Sequence, residues 1–148
     1  MANTVFVPAR RRKGVGFVVP LLIVPWLVYN AVAFAFRGGS STGWTEPLFS
    51  IGMMSRGDWV VTSGDLLVAL GLVFLFVEVL KSTRTGSSSI LEHMLSTAVF
   101  VIYLVEFLLV GAAATSTFFL IMLMSLIDVV AGFSVSISAA ERDVSYNG

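Results

Sequence analysis

The sequence predicts an all-α membrane protein: four transmembrane helices in a bundle, both termini on the cytoplasmic side, the last two helices joined as a tight hairpin. Three observations predict it. Hydrophobic residues make up 57% of the 148 residues and charged residues only 12%, about half the roughly 25% charge typical of a soluble domain. The apolar residues gather into four segments, each near the roughly 20 residues that cross a hydrocarbon core as a helix. The basic residues are distributed unequally between the connections, in the manner that fixes orientation. A chain of this length forms one domain, 1–148.

The first segment covers about 15–36. It follows Arg10, Arg11, Arg12 and Lys13 and contains Ala31-Val32-Ala33, which together resemble a signal peptide with its cleavage site. Its apolar run exceeds the 7–15 residues of a signal-peptide core, so it reads as a retained helix. Pro25 should bend that helix, because proline removes a hydrogen bond and clashes one turn back. The second segment covers about 62–80. Thr62 and Asp65 have the spacing of a capping box, which starts a helix by satisfying its free N–H groups. Near its end, Glu78 and Lys81 are three apart and share a face, as a snorkelling ion pair would. The third segment covers about 90–112, with Ser89 and Glu92 in capping-box spacing, and the fourth about 117–139. Only a short turn separates these two, hence the hairpin. Helices are required throughout because each backbone polar group in hydrocarbon must find a partner within its own segment.

The connections differ in kind. Residues 38–61 begin with Gly38-Gly39-Ser40-Ser41 and then turn apolar, with Trp44, Phe49, Met53, Met54 and Trp59. Such a stretch is expected at the outer, periplasmic interface, where tryptophan settles; a lid or a docking surface is the sharper alternative. Residues 81–89 are small and polar, a cytoplasmic loop, and the tail from 141 is polar and mobile in expectation. With four spans, one side holds Arg10, Arg11, Arg12, Lys13, Lys81, Arg84 and Arg142, the other Arg37 and Arg56. The first side is therefore cytoplasmic, and the location is a bacterial inner membrane. The basic cluster at Arg10, Arg11, Arg12 and Lys13 suits anionic lipid headgroups.

Several chemistries are poorly served. The formal net charge is zero, which points to no nucleic-acid partner. Cysteine is absent and His93 is the single histidine, so thiolate chemistry and bis-histidine haem ligation are excluded. No metal or cofactor is expected. No phosphate-binding glycine loop or H-E-x-x-H pattern is present, and the chain is expected not to be an enzyme.

What remains are Glu106 and Asp128, carboxylates inside apolar segments, roughly 9 Å and 16 Å from the outer helix ends at 1.5 Å per residue. A charge at such depth needs a partner, a proton or water. A hairpin would bring the two within one or two turns, with Tyr103, Asn30 and Ser125 as hydrogen-bonding neighbours. On the fourth helix Ser125, Asp128, Gly132, Ser136 and Ala139 recur at spacings of three or four, a small and polar stripe that lets helices approach closely. On the third, Ser96, Val99, Tyr103, Glu106 and Val110 share a face. The functional expectation is a non-catalytic accessory or assembly subunit of a larger membrane complex, partnered by the bilayer and by other membrane subunits or further copies of itself. The alternative is an oligomeric proton- or cation-coupled carrier or channel using Glu106 and Asp128.

Overall fold

The computed structural model describes residues 19–82 and 89–145, without the side chains of residues 89, 90, 136 and 138–145. It is mostly helical. The order is α1 (Ile23–Asn30) running into a π-helical stretch (Ala31–Phe36), strands β1 (Pro47–Gly52) and β2 (Asp58–Thr62), α2 (Ser63–Ser82), α3 (Ser89–Leu109), a 3-10 turn (Gly111–Ala113) and α4 (Ser116–Ser145). Three helices, α2, α3 and α4, are long and apolar enough to cross a membrane, and their lipid-compatible exteriors mark a membrane protein. The remaining apolar helix, Ile23–Phe36, is shorter. Its 14 residues reach about 21 Å, less than the roughly 30 Å of a hydrocarbon core.

Pro25 does not bend a long helix. The helix starts only two residues before it, after a tight turn in which the Ile23 and Val24 amides donate to the Pro20 and Leu21 carbonyls. In a first turn the missing N–H would have had no intrahelical acceptor, so proline is tolerated there. At the other end, Gly38 and Gly39 take positive φ of 59° and 82°, and the Gly39 amide donates to the Ala33 carbonyl. That left-handed turn stops the helix, and glycine enters it without strain.

The expectation of an all-α chain is corrected between these elements. Residues 38–61 are not simply an irregular loop: they contain an antiparallel hairpin, with Phe49 opposite Val61, Ser50 opposite Val60 and Ile51 opposite Trp59. Phe49, Ile51, Trp59 and Val61 share one face because opposed residues point the same way. The turn closes through the Met53 amide on the Gly57 carbonyl and the Arg56 amide on the Met53 carbonyl, with Arg56 at φ 64°. The hairpin stands exposed, whereas Trp44 before it and Val61 at its root are buried.

The capping box at α2 is formed. Asp65 Oδ2 accepts from the Thr62 amide at 2.9 Å and the Thr62 hydroxyl at 2.7 Å, and Thr62 Oγ1 accepts from the Asp65 amide at 3.1 Å. The box expected at Ser89 and Glu92 involves a side chain outside the described residues. α3 stops at Leu109, earlier than expected, and α4 runs on to Ser145 through most of the expected mobile tail.

α4 is the central helix. It packs against both α2 and α3, and 44% of its apolar window is buried, against 22% for α2 and 11% for α3. Its inner face presents Phe118, Ile121, Met122, Ser125, Asp128 and Val129. Close approach to α2 is made at two glycines: a Cβ on Gly71 would lie 2.8 Å from Met124 Sδ, and one on Gly64 would lie 2.5 Å from Thr117 Oγ1.

Candidate functional site: two separate polar clusters

The hairpin end of the bundle is built on aromatic rings. Tyr29, from α1, stacks on Trp44 at 4.4 Å and meets Phe118 edge-on at 4.8 Å. The Tyr29 hydroxyl donates to the Ala112 carbonyl at 2.7 Å and lies 2.8 Å from Thr115 Oγ1. Thr115 Oγ1 in turn accepts from the Phe118 amide, so Tyr29 braces the N-cap of α4. Arg37 lies over the Trp44 ring at 4.7 Å and donates to Ser63 Oγ.

Below this cap, Glu106 is fastened to α1. Its Oε2 accepts from the Trp26 indole N–H at 2.5 Å and from the Asn30 amide at 3.2 Å. Asn30 also donates to the Trp26 carbonyl one turn earlier, which orients both donors toward the same oxygen. Glu106 Oε1 is buried and has no hydrogen-bond partner among the described residues. Glu106 also borders an almost wholly apolar groove of about 360 Å³ on the outer face of α3, otherwise walled by Val101, Ile102, Val105, Leu109 and Val110.

The second cluster lies toward the opposite end. Asp128 is buried and within hydrogen-bonding reach of the Ser96 hydroxyl, with Glu78 and Lys81 of α2 and His93 of α3 close enough to act on its charge. Glu78 is itself buried, paired with Lys81 at 3.1 Å. Its other oxygen accepts from the Leu21 backbone amide, so Glu78 caps the turn that leads into α1. His93 stacks on Phe133 and packs against Gly132, where a Cβ would collide with the imidazole.

The two acids do not form a pair. Ser96 and Glu106 are ten residues apart on α3, so the Ser96–Asp128 contact sets the carboxylates about 15 Å apart along the helix, nearly three turns. The short turn after α3 places Glu106 near one end, while Asp128 is more than three turns into α4. Tyr103 and Ser125 are not hydrogen-bonded to either acid. The Tyr103 hydroxyl donates to the Leu22 carbonyl at 2.9 Å, and Ser125 Oγ is buried with no partner among the described residues. Asn30 does meet Glu106, as expected. Within the helix stripe, Ser125, Asp128 and Gly132 are buried; the side chains of Ser136 and Ala139 lie outside the described residues, as do Arg10, Arg11, Arg12 and Lys13. Along α3 the buried Tyr103, its hydroxyl on the Leu22 carbonyl, stands between the clusters.

Sequence reasoning missed Trp26 and the capping role of Glu78. Trp26 carried a usable signal, since it precedes Asn30 by four residues and so shares its helix face. Glu78 carried none, because its acceptor role depends on where α1 begins.

If the indole and the carboxylate act on each other, removing both will cost less than the sum of removing each. Trp26→Phe and Glu106→Met, alone and combined, are expected to show a coupling of about 0.6–2 kcal/mol, the range for hydrogen bonds between membrane helices. The measurement is reversible unfolding in mixed micelles, and strictly additive effects would show that the contact contributes no stability.

Among the described residues, no three His, Cys, Asp or Glu side chains are grouped to hold a metal ion. Comparison of the chain with protein-family models finds no match, and comparison with curated proteins and with solved structures finds none that is similar.

Proposed function

We propose that this protein is a small polytopic inner-membrane protein that acts as a non-catalytic accessory or assembly subunit of a larger membrane complex. In this reading the first apolar segment also crosses, giving four spans with both termini cytoplasmic and the β-hairpin at the periplasmic interface. The observation that carries it is how the buried polar groups are spent. Glu106 holds α1 to α3, Glu78 holds the start of α1 to α2, and Asp128 joins α4 to α3. Along α3 the buried Tyr103, its hydroxyl on the Leu22 carbonyl, stands between the clusters, so the acids serve as fasteners rather than stations on a path. The exposed hairpin supports the same reading, because an isolated two-stranded ribbon is marginally stable in water and its apolar face suits a covering surface.

The test is extraction from native membranes in mild detergent. The chain is expected to migrate with a defined set of larger membrane proteins, and their assembly is expected to fall in a strain lacking it. Purification as an isolated chain, with every membrane complex intact in its absence, would remove the proposal.

A second reading, an oligomeric proton- or cation-coupled carrier, is favoured by the ionisable groups Glu78, Lys81, His93 and Asp128 gathered at one end. It requires flux in liposomes that Glu106→Gln or Asp128→Asn abolishes; flux unchanged in both variants would eliminate it.

A further inference from the structure

We propose that the β-hairpin lies against the bilayer on the side where α2 begins, with Phe49, Ile51 and Trp59 set into the boundary between headgroups and acyl chains. This placement goes beyond the accessory-subunit reading and needs only that α2 crosses the membrane. β2 ends at Thr62 and α2 starts at Ser63, with no linker between them, so the helix start fixes the position of the hairpin root. Asp65 in the α2 cap is exposed, and an exposed carboxylate belongs at the aqueous edge of the hydrocarbon rather than within it. Trp59 is three residues before Thr62, about 10 Å along the strand, so its ring stays near that edge, the depth at which tryptophan settles.

The strand register assigns the face. Phe49, Ile51, Trp59 and Val61 point the same way. Val61 is only 3% exposed, so at the root this face is turned onto the protein. Phe49, Ile51 and Trp59, at 49%, 43% and 53% exposed, carry the face on beyond the chain's own cover. At the level where the helices meet water, the apolar phase adjoining the bundle is the bilayer. The opposite face pairs Ser50 with Val60 and Gly52 with Asp58, which suits the aqueous side. At the tip Met54 is fully exposed, and Arg56 can reach phosphate from an interfacial position, as long basic side chains do. Between Glu46 and Thr62 the charged residues are Glu46, Arg56 and Asp58, two acids and one base. Attraction to anionic headgroups therefore does not hold the hairpin down; apolar contact does.

The experiment uses the full chain in phosphatidylcholine vesicles. Because the sequence has no cysteine, Phe49→Cys, Ser50→Cys, Ile51→Cys and Asp58→Cys each give one site for a spin label, and all four positions are exposed, so the label displaces no core. Collision of each label is measured with oxygen, which concentrates in lipid, and with a water-soluble nickel chelate. The Phe49→Cys and Ile51→Cys labels are expected to favour oxygen and the Ser50→Cys and Asp58→Cys labels nickel, an alternation with the two-residue period of a strand. Adding phosphatidylglycerol or raising the salt should leave this pattern unchanged. Labels that all favour nickel would place the hairpin in water and overturn the proposal. Shielding of the Phe49→Cys and Ile51→Cys labels from both reagents would overturn it too, as the mark of protein cover, with spin–spin broadening identifying a second copy. Entry into lipid only when phosphatidylglycerol is present would overturn the apolar contact. Native partners recovered in detergent bear on the accessory reading alone, since the vesicles contain none.

Discussion

Tyr29→Ala is expected to lower the thermal unfolding midpoint in detergent by about 10 °C or more. Tyr29 is fully buried and touches three elements at once: Trp44 before the hairpin, Phe118 on α4, and the Ala112 carbonyl and Thr115 hydroxyl of the turn after α3. Truncating a buried aromatic to alanine typically costs about 3–5 kcal/mol, and each kcal/mol moves the midpoint of a chain this size by roughly 2–4 °C. Tyr29→Phe separates the contributions. It keeps both ring contacts and strips the Ala112 carbonyl of its side-chain donor, an unsatisfied-group cost of about 1–3 kcal/mol. Its midpoint should therefore fall between those of the parent and the alanine variant. A Tyr29→Ala protein that melts with the parent would show that the aromatic cap is not what holds the hairpin end.

Gly64→Val should be nearly as damaging, for the opposite reason. Here space is lacking: a Cβ would lie 2.5 Å from Thr117 Oγ1 and 2.8 Å from the Trp44 carbonyl oxygen. That carbonyl is backbone and accepts the Gly64 amide at 2.9 Å, so it cannot rotate aside. The cost combines overpacking, about 1–3 kcal/mol, with a strained hydrogen bond worth about 1 kcal/mol. Gly71→Ala provides the comparison. Its nearest neighbour is the sulfur of Met124, an unbranched side chain that adapts to irregular space. Denaturant titration of the two variants by circular dichroism should separate them clearly, and equal losses would refute the distinction between a rigid and a yielding neighbour.

What the sequence made legible follows from how local each signal is. The three long helices were written in continuous apolar runs, and the α2 cap in the spacing of Thr62 and Asp65. The inward stripes on α3 and α4 were readable from periodicity, since Ser96, Val99, Tyr103, Ser125 and Asp128 are all buried. The hairpin was within reach: Trp59, Val60, Val61 and Thr62 are strand formers, and a Gly-containing turn precedes them. It was obscured because the left-handed turn position is Arg56 rather than the glycine or asparagine that advertises it. The start of α1 was not legible. It depends on an acceptor from α2 and on the tight turn at Pro20, neither of which a local pattern records. The partnering of the acids was only half legible. Asn30 was a visible candidate for Glu106, but the apparent closeness of Glu106 and Asp128 came from assuming helix ends that the structure moves.

The order in which α1 acquires its supports has a consequence for biogenesis. The acceptor for the Leu21 amide is Glu78, 57 residues downstream, and the acceptor for the Trp26 indole is Glu106, 80 residues downstream. While the N-terminal portion is emerging from the ribosome, neither carboxylate has yet been translated. α1 thus obtains these long-range bonds only as α2 and α3 arrive, which makes its maturation retrograde: helices made later complete one made before them.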